Sequence, residues 1–476
     1  MKYDRGGFRA MTAALVCLLI NGAVQGITLN PTSSSGLDYY AQGGVVLDGV
    51  AYFTANPHFA DPNLARDQDF PSVVAFNANT FQKSRTYAFR DTYDSSPLAY
   101  STSGGTPLVI AHEHLNARTV AIHRDTGKMV WTSAANQPGM YFFGYSYYNR
   151  PDGSKIVLTP STNGLHAVNG DTGQDAWSVN RSSTGGVTPA VDQANAWVFY
   201  QRDGELLKIN ANTGSVLKSV AVGSPATCYS WNTVLTDDSH GAYVATYWYG
   251  ANMWDSAVRV YDKELNMVWE KTGLPLGEKQ TLTYADGKLL TGSGNDFGAH
   301  YSQSDPTWKK MVAYDIATGD VAWETDLSNY TYTAVLNAPY FNGNFYAEAG
   351  TNTATTPGGT TLLFRIDAST GAMEEVLDFG RPVSSCATSI IADGKLYTGD
   401  IQHDRIVVVE LATGSSLDWP GPFGNPQTNQ MALPFDPGAT LVPMREILPE
   451  PSAAVLLGAG LMTLLCYAFR AKLGRA

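Results

Sequence analysis

The stretch 311–323 reads M-V-A-Y-D-I-A-T-G-D-V-A-W, and it limits what this chain can become. Val312 and Tyr314 alternate with smaller residues, as on a strand with one buried face. Asp315, Thr318 and Gly319 then predict a tight turn: Asp bonds the backbone ahead of it, and Gly takes the φ > 0 that such turns need. A second short strand ends on Trp323. The unit is a β-hairpin, and the chain repeats it. A polar residue stands four before the turn glycine in every copy, at Asn77, His123, Asn169, Asn210, Asp262, Asp315, Asp367 and Glu410. The glycine itself recurs as Gly127, Gly173, Gly214, Gly319, Gly371 and Gly414, with Phe81 in the first copy and Asn266 in the fifth. Trp131, Trp177 and Trp323 follow four after it, Trp269 follows three after Asn266, and Trp419 is one step out of register. The copies recur roughly every 41 to 54 residues, the period of propeller blades.

The repeat A-x-D-x-x-T-G-x-x-x-W resembles that of the quinoprotein-like (PQQ-type) β-propellers, over roughly residues 27–422. The resemblance implies an all-β fold, an eight-bladed β-propeller of four-stranded antiparallel blades, with seven blades as the alternative because the first copy is degenerate. It assigns no function, since the same blade serves dehydrogenases, outer-membrane assembly scaffolds and binding proteins. The repeated Trp, Asp and Gly are expected to pack blades and shape turns.

The repeated hairpin is the outer pair of strands, C and D. The inner pair, A and B, is joined by tight turns at Asp48-Gly49, Asp286-Gly287, Asn342-Gly343 and Asp393-Gly394. A closed ring leaves no open edges, so a segment near Ile27 to Leu29 is expected to complete the last blade, or the segment 421–441 the first.

Two segments flank the propeller. Residues 1–26 read as a secretory signal, with Lys2, Arg5 and Arg9 before the apolar run 10–20, and Val24 and Gly26 as small residues at a cleavage site. After the propeller, 423–446 is a linker or wrap rich in Pro, Gly, Asn and Gln. Residues 447–476 hold L-P-E-P-S, one membrane-length apolar helix at 453–469, and then Arg470, Lys472 and Arg475, which favour a cytoplasmic end. This tail resembles the PEP-CTERM sorting signal, with Pro449, Glu450 and Pro451 as its motif. The resemblance implies an exosortase as partner, in a Gram-negative bacterium that makes extracellular polysaccharide. A permanent single-pass anchor is the alternative. The expected location is therefore beyond the inner membrane, in the envelope or at the cell surface.

A formal charge of −12 argues against nucleic acid and anionic lipid surfaces as partners. Of four cysteines, only Cys228 and Cys386 belong to the folded body, and neither a C-x-x-C-H haem site nor a C-x-x-C zinc pair occurs.

Strand order places the A–B and C–D turns on one face of the disc. The B–C and D–A connections share the other face. The first set is expected to be uniformly tight and the second long, and long loops are where binding residues reside. Tyr145, Tyr147, Tyr148, Trp231, Tyr247, Trp248, Tyr249, Trp254, Tyr330 and Tyr332 are candidates for one aromatic face there. Aromatic planes with few charges suit sugar rings or a protein partner. His112 and His114, two apart on a strand, form a candidate metal arm, with His58 or Asp296 as a third ligand. The oxygen-rich stretches Asp67-Gln68-Asp69 and Asn295-Asp296-Phe297 leave calcium open, although neither has the spacing of a defined calcium loop. Quinoprotein dehydrogenases would imply adjacent bridged cysteines, a calcium set and an Asp base. No Cys-Cys pair occurs, so PQQ is not expected. The sequence thus favours non-covalent binding to an exopolysaccharide, a matrix protein or a surface partner. A quinoprotein-like or other enzyme on the long-loop face and an envelope assembly scaffold are the alternatives.

Overall fold

The computed structural model describes residues 25–27, 40–56, 72–78, 83–88, 97–113, 117–134, 144–181, 187–202, 204–223, 232–248, 256–274, 282–292, 310–330, 332–334, 338–350, 361–378, 389–392, 394–400 and 405–411. Eight antiparallel sheets follow one another along the chain: 40–88, 98–132, 146–180, 190–221, 234–274, 283–326, 332–378 and 390–410. They are blades 1 to 8 of a β-propeller, each running from inner strand A to outer strand D. In blade 7 the inner strand is split into Tyr332–Ala334 and Tyr340–Phe341.

The ring is closed. Apolar clusters fill the junctions between neighbouring blades, one of them spanning blades 5, 6 and 7. Val45, Tyr52, Val109 and Ile122 join blades 1 and 2, and Phe53, Ile390, Tyr397 and Val408 join blades 8 and 1. Blade 8 takes its outer strand from the other end of the chain, because Gln25–Ile27 pairs with Arg405–Glu410. The expected closing segment near Ile27 is therefore the one used. The strand D position of blade 8 is thus filled by 25–27, and Gly414 and Trp419 lie outside the described residues.

The turn chemistry follows the sequence. Asp48-Gly49, Asp286-Gly287 and Asn342-Gly343 have positive φ at both residues, the mirror-image turn that suits twisted strands. In the C–D turns the polar residue accepts backbone N–H groups two and three residues ahead. Asp315 Oδ1 takes Ala317 and Thr318 at 2.9 Å each, and Asn169, Asn210 and Asp367 do the same.

The tryptophans tie each blade to the next. Trp131, Trp177, Trp269 and Trp323 donate Nε1–H to the carbonyls of Gly170, Ala211, Ile316 and Ala368, at 2.8–3.0 Å. Each acceptor lies one residue after the polar turn residue of the following blade. The indole also covers that blade's turn glycine: a Cβ on Gly173, Gly214, Gly319 or Gly371 would come within 2.5–2.8 Å of the ring. The glycine thus answers two demands, a left-handed backbone and a flat seat. Where a tryptophan is missing, other donors reach the same carbonyl. Tyr87 Oη–H bonds Arg124 O at 2.6 Å between blades 1 and 2, and Lys395 Nζ bonds Ala78 O at 3.0 Å between blades 8 and 1.

The two faces are less uniform than strand order alone predicts. B–C connections are long in blades 1, 5, 6 and 7, at 57–71, 249–255, 293–309 and 351–360. In blades 3 and 4 they are two-residue turns, Thr162-Asn163 and Asp203-Gly204. On the opposite face, blade 5 carries a longer A–B connection, 236–242. The expected division into one tight and one long-looped face is corrected: B–C connections are long in blades 1, 5, 6 and 7 and short in blades 3 and 4. Among the described residues no helix is long and apolar enough to cross a membrane. The apolar runs 10–20 and 453–469 lie outside them.

Candidate functional site

The face carrying the B–C and D–A connections is the candidate site. At the channel mouth the inner strands begin, and their polar groups are already bonded from blade to blade. Gly144 N–H donates to Thr188 Oγ1 at 2.8 Å, and Ser146 Oγ–H donates to Pro189 O at 2.6 Å. Thr233 N–H reaches Thr188 O at 3.1 Å. Asn232 exchanges two bonds with Leu282, at 2.8 and 2.9 Å. This buried belt runs from blade 3 to blade 6 and fixes the inner wall. A group already held in such a belt is poorly placed to accept a reacting ligand.

Several aromatic candidates lie elsewhere than expected. Tyr145, Tyr147 and Tyr148 are buried, not on an open face. Alternation along the strand turns Tyr145 and Tyr147 into the junction with blade 2, beside Leu98, Ile110 and Trp131. It turns Tyr148 toward blade 4, beside Val191 and Tyr200. Tyr145 donates no surface to a ligand, and burial pushes its phenol far above the usual range. Tyr247, one residue before Trp248, is likewise in the core of the junction with blade 6. Tyr330 is half-buried, edge-on to Phe364 with ring centroids 5.0 Å apart. Tyr332 opens the split inner strand of blade 7. Trp231, Tyr249 and Trp254 lie outside the described residues.

Trp248, like Tyr330, is partly exposed. It ends strand B of blade 5, Tyr243–Trp248, at the foot of the connection 249–255. The Arg259 guanidinium lies 5.8 Å from its ring centroid. Gly223, from the end of blade 4, lets the indole approach so closely that a Cβ there would sit 1.9 Å from Nε1. Arg259 is fixed by Glu270 at 2.5 Å and by a bond to Val222 O. The result is a plane with a cation and a carboxylate beside it. Trp248, expected in the B–C connection, is the last residue of strand B. Arg259 and Glu270 carry no signal in the sequence, because they come from strands C and D.

Of the candidate metal arm, His112 alone is among the described residues. His112 is 2% exposed, on the strand Pro107–Glu113 and opposite Thr119, so it belongs to the junction between blades 2 and 3. His114, His58, Asp296 and Asp67 lie outside the described residues, as do Cys228 and Cys386. Among the described residues no three His, Cys, Asp or Glu side chains stand close enough to hold a metal ion.

A charged cluster occupies the opposite face at blades 4 and 5. Lys263 Nζ sits 2.7 Å from the buried Asp192 and 2.6 Å from Asp237. Burial opposes the charge on Asp192, yet bonds from Lys263 and Asn195 outweigh it and hold the carboxyl below the usual range. Burial likewise opposes the charge on Lys263, and its bonds to Asp192 and Asp237 raise it above the usual range. Lys208 Nζ lies 3.3 Å from the Trp197 ring centroid and 2.8 Å from Glu264. The Lys263–Asp192 and Lys208–Glu264 pairs each cross from blade 5 to blade 4 or back, so the cluster is a junction rather than a pocket.

Solved structures share the architecture. BamB from Moraxella catarrhalis superposes with a TM-score of 0.50 at 14% identity, over 81% of this chain and 98% of that one. The computationally designed Ika8 protein gives 0.52 at 13% identity, over 81% and 98%. The quinohemoprotein alcohol dehydrogenase from Comamonas testosteroni gives 0.51 at 13%, over 83% and 77%. At such identities the likeness establishes the fold alone. No curated protein matches the chain. The model of a PQQ-like repeat family, described as outer membrane protein assembly factor BamB, matches residues 69–244 and 161–419, and the chain belongs to that family.

Proposed function

We propose that this propeller is exported and works by non-covalent binding of a polysaccharide on its long-loop face. The observation that carries the reading is Trp248, a partly exposed indole beside the Arg259–Glu270 pair at the foot of a long connection. An aromatic plane stacks on the C–H face of a sugar ring, while a guanidinium and a carboxylate bond its hydroxyls. The net charge of −12 favours neutral over acidic glycans. The tail motif Pro449, Glu450 and Pro451 supports sorting by an exosortase to the envelope or cell surface.

Titration calorimetry of the exported protein with a panel of neutral and acidic bacterial polysaccharides tests the binding. A neutral glycan should bind, and Trp248→Ala should weaken it about tenfold or more, equal to roughly 1.4 kcal/mol. Binding unaffected by Trp248→Ala removes this site. Removal of residues 447–476 should shift the protein from the envelope to the medium, and unchanged fractionation removes the sorting role.

The family match favours a second reading, a scaffold for envelope assembly. Recovery of a defined membrane complex after crosslinking in the native host, with no glycan bound, would favour it over the first.

A further inference from the structure

Trp248 differs from the indoles that brace the ring. Trp131, Trp177, Trp269 and Trp323 each donate Nε1–H to a carbonyl of the following blade. The Nε1 of Trp248 is buried too, yet it has no hydrogen-bond partner among the described residues. A buried N–H without an acceptor destabilises a fold, so packing alone would favour phenylalanine at this place. A bracing role does not account for this indole.

Blade 4 encloses the N–H. Its strand D, Val216–Ala221, runs on through Val222 to Gly223. A Cβ on Gly223 would lie 1.9 Å from Nε1 and 2.3 Å from both Cδ1 and Cε2 of Trp248. The φ of Gly223 is not left-handed, so the backbone makes no demand for glycine there. Only the approach of the ring does. The preceding carbonyl, Val222 O, accepts from the Arg259 guanidinium, which is paired with Glu270. In the blade 5 ladder Arg259 stands opposite Thr246, and Glu270 stands opposite Arg259. Thr246 is two residues before Trp248, so all of them share one face of the sheet. The end of blade 4 thus fixes both parts of the platform, the indole through Gly223 and the cation through Val222.

We propose that Gly223 is a positioning residue for the candidate glycan site: it shuts the Trp248 N–H into the seam between blades 4 and 5 and leaves the rest of the ring to meet the ligand. The role rests on the binding proposed above and deepens it. The indole then gives the ligand no hydrogen bond. Polar recognition falls to Arg259 and Glu270, whose side chains are 16% and 32% exposed. The more open group is a carboxylate, which accepts bonds only, so the ligand group beside it is a hydroxyl that donates. This selects a neutral sugar, with a C–H face to stack and a hydroxyl to donate. A sugar carboxylate in the same place would be repelled by Glu270.

A double-mutant cycle read by calorimetry with laminarin and dextran, both neutral glucans, gives the test. Trp248→Phe keeps a ring without the N–H and should weaken binding about threefold, against about tenfold for Trp248→Ala. Gly223→Ala should weaken binding about tenfold in the natural protein but less than about twofold beside Trp248→Phe, where the smaller ring leaves room for the methyl group. Equal losses in both backgrounds, or none in the first, overturn the positioning role and leave Trp248 as a ligand residue. Binding unchanged by Trp248→Ala removes the site itself. A second measurement needs no ligand. In an indole N–H correlation spectrum, the Trp248 signal is identified by its loss in Trp248→Phe. It should lie upfield of the bonded bracing indoles, and Gly223→Ala should move it. A signal within their range, or one unmoved by Gly223→Ala, overturns the proposal.

Discussion

Two kinds of blade junction stand side by side in the middle of the chain. Between blades 2 and 3, 3 and 4, 5 and 6, and 6 and 7, an indole lies on a glycine and donates to a carbonyl. Between blades 4 and 5 the tryptophan position is Lys218, and the left-handed turn position is held by Leu265, with φ of +57°, in place of glycine. Lys218 Nζ bonds Glu264 O at 2.5 Å and Asn266 Oδ1 at 3.2 Å. Asn266 folds back on Asp262, with Nδ2–H to Oδ2 at 2.9 Å. With no ring to seat, no flat residue is needed, so both substitutions occur together. Two ion pairs beside them, the buried Asp192 with Lys263 and the buried Lys208 with the exposed Glu264, complete the seam. The same backbone place can be filled by an apolar plate or by a charged network. The two respond to different perturbations.

The largest effect should separate them by deletion. Trp323→Ala loses a buried indole and its bond to Ala368, and should cost about 4 kcal/mol in urea unfolding. Lys218→Ala removes an exposed amine and should cost under about 1 kcal/mol. Equal losses would erase the distinction.

Next comes the orphaned charge. Lys263→Met leaves Asp192 buried without its cation, and should cost about 3 kcal/mol. Adding Asp192→Asn should restore most of that. A double variant as unstable as the single one would show that packing, not charge, holds the seam.

The seats can be compared directly. Gly319→Ala meets both a φ of +75° and the Trp269 ring, and should cost about 2 kcal/mol by chemical denaturation. Asn266→Gly at the seam should fall within about 0.5 kcal/mol of zero.

The smallest effect is on pH. Asp192 has a lowered carboxyl in the fold, so its contribution is present above the ordinary value of about 3.9 and fades as pH falls through the lowered one. Lys263 is raised, so its contribution holds below about 10.4 and fades as pH climbs beyond. Melting temperature followed from pH 7 into acid should fall more steeply below about pH 4 in the natural protein than in the Asp192→Asn, Lys263→Met variant. Parallel curves would place the acid sensitivity elsewhere.

The long-loop rim shows why the site was harder to foresee than the fold. The repeat residues act on backbone within a few positions of themselves, so a single copy such as 311–323 already states the hairpin. The aromatic residues of the inner strands carry no such local statement. Tyr147 and Tyr148 are neighbours in the chain but enter opposite junctions, and only the blades on either side determine that both are buried. Trp248 follows the same alternation, yet it ends its strand and escapes full enclosure.

The amino-acid order by itself determined the blade, its turns, the number of copies and the need for a closing segment, because these depend on local periodicity and on φ > 0 at a few positions. Tertiary structure decided which carbonyl each tryptophan would reach, which tyrosines would vanish into junctions and where charge would replace an indole. It also decided that strand 25–27 would seal the ring. Those outcomes join residues about forty to nearly four hundred positions apart, and no local pattern encodes the partner at such distance.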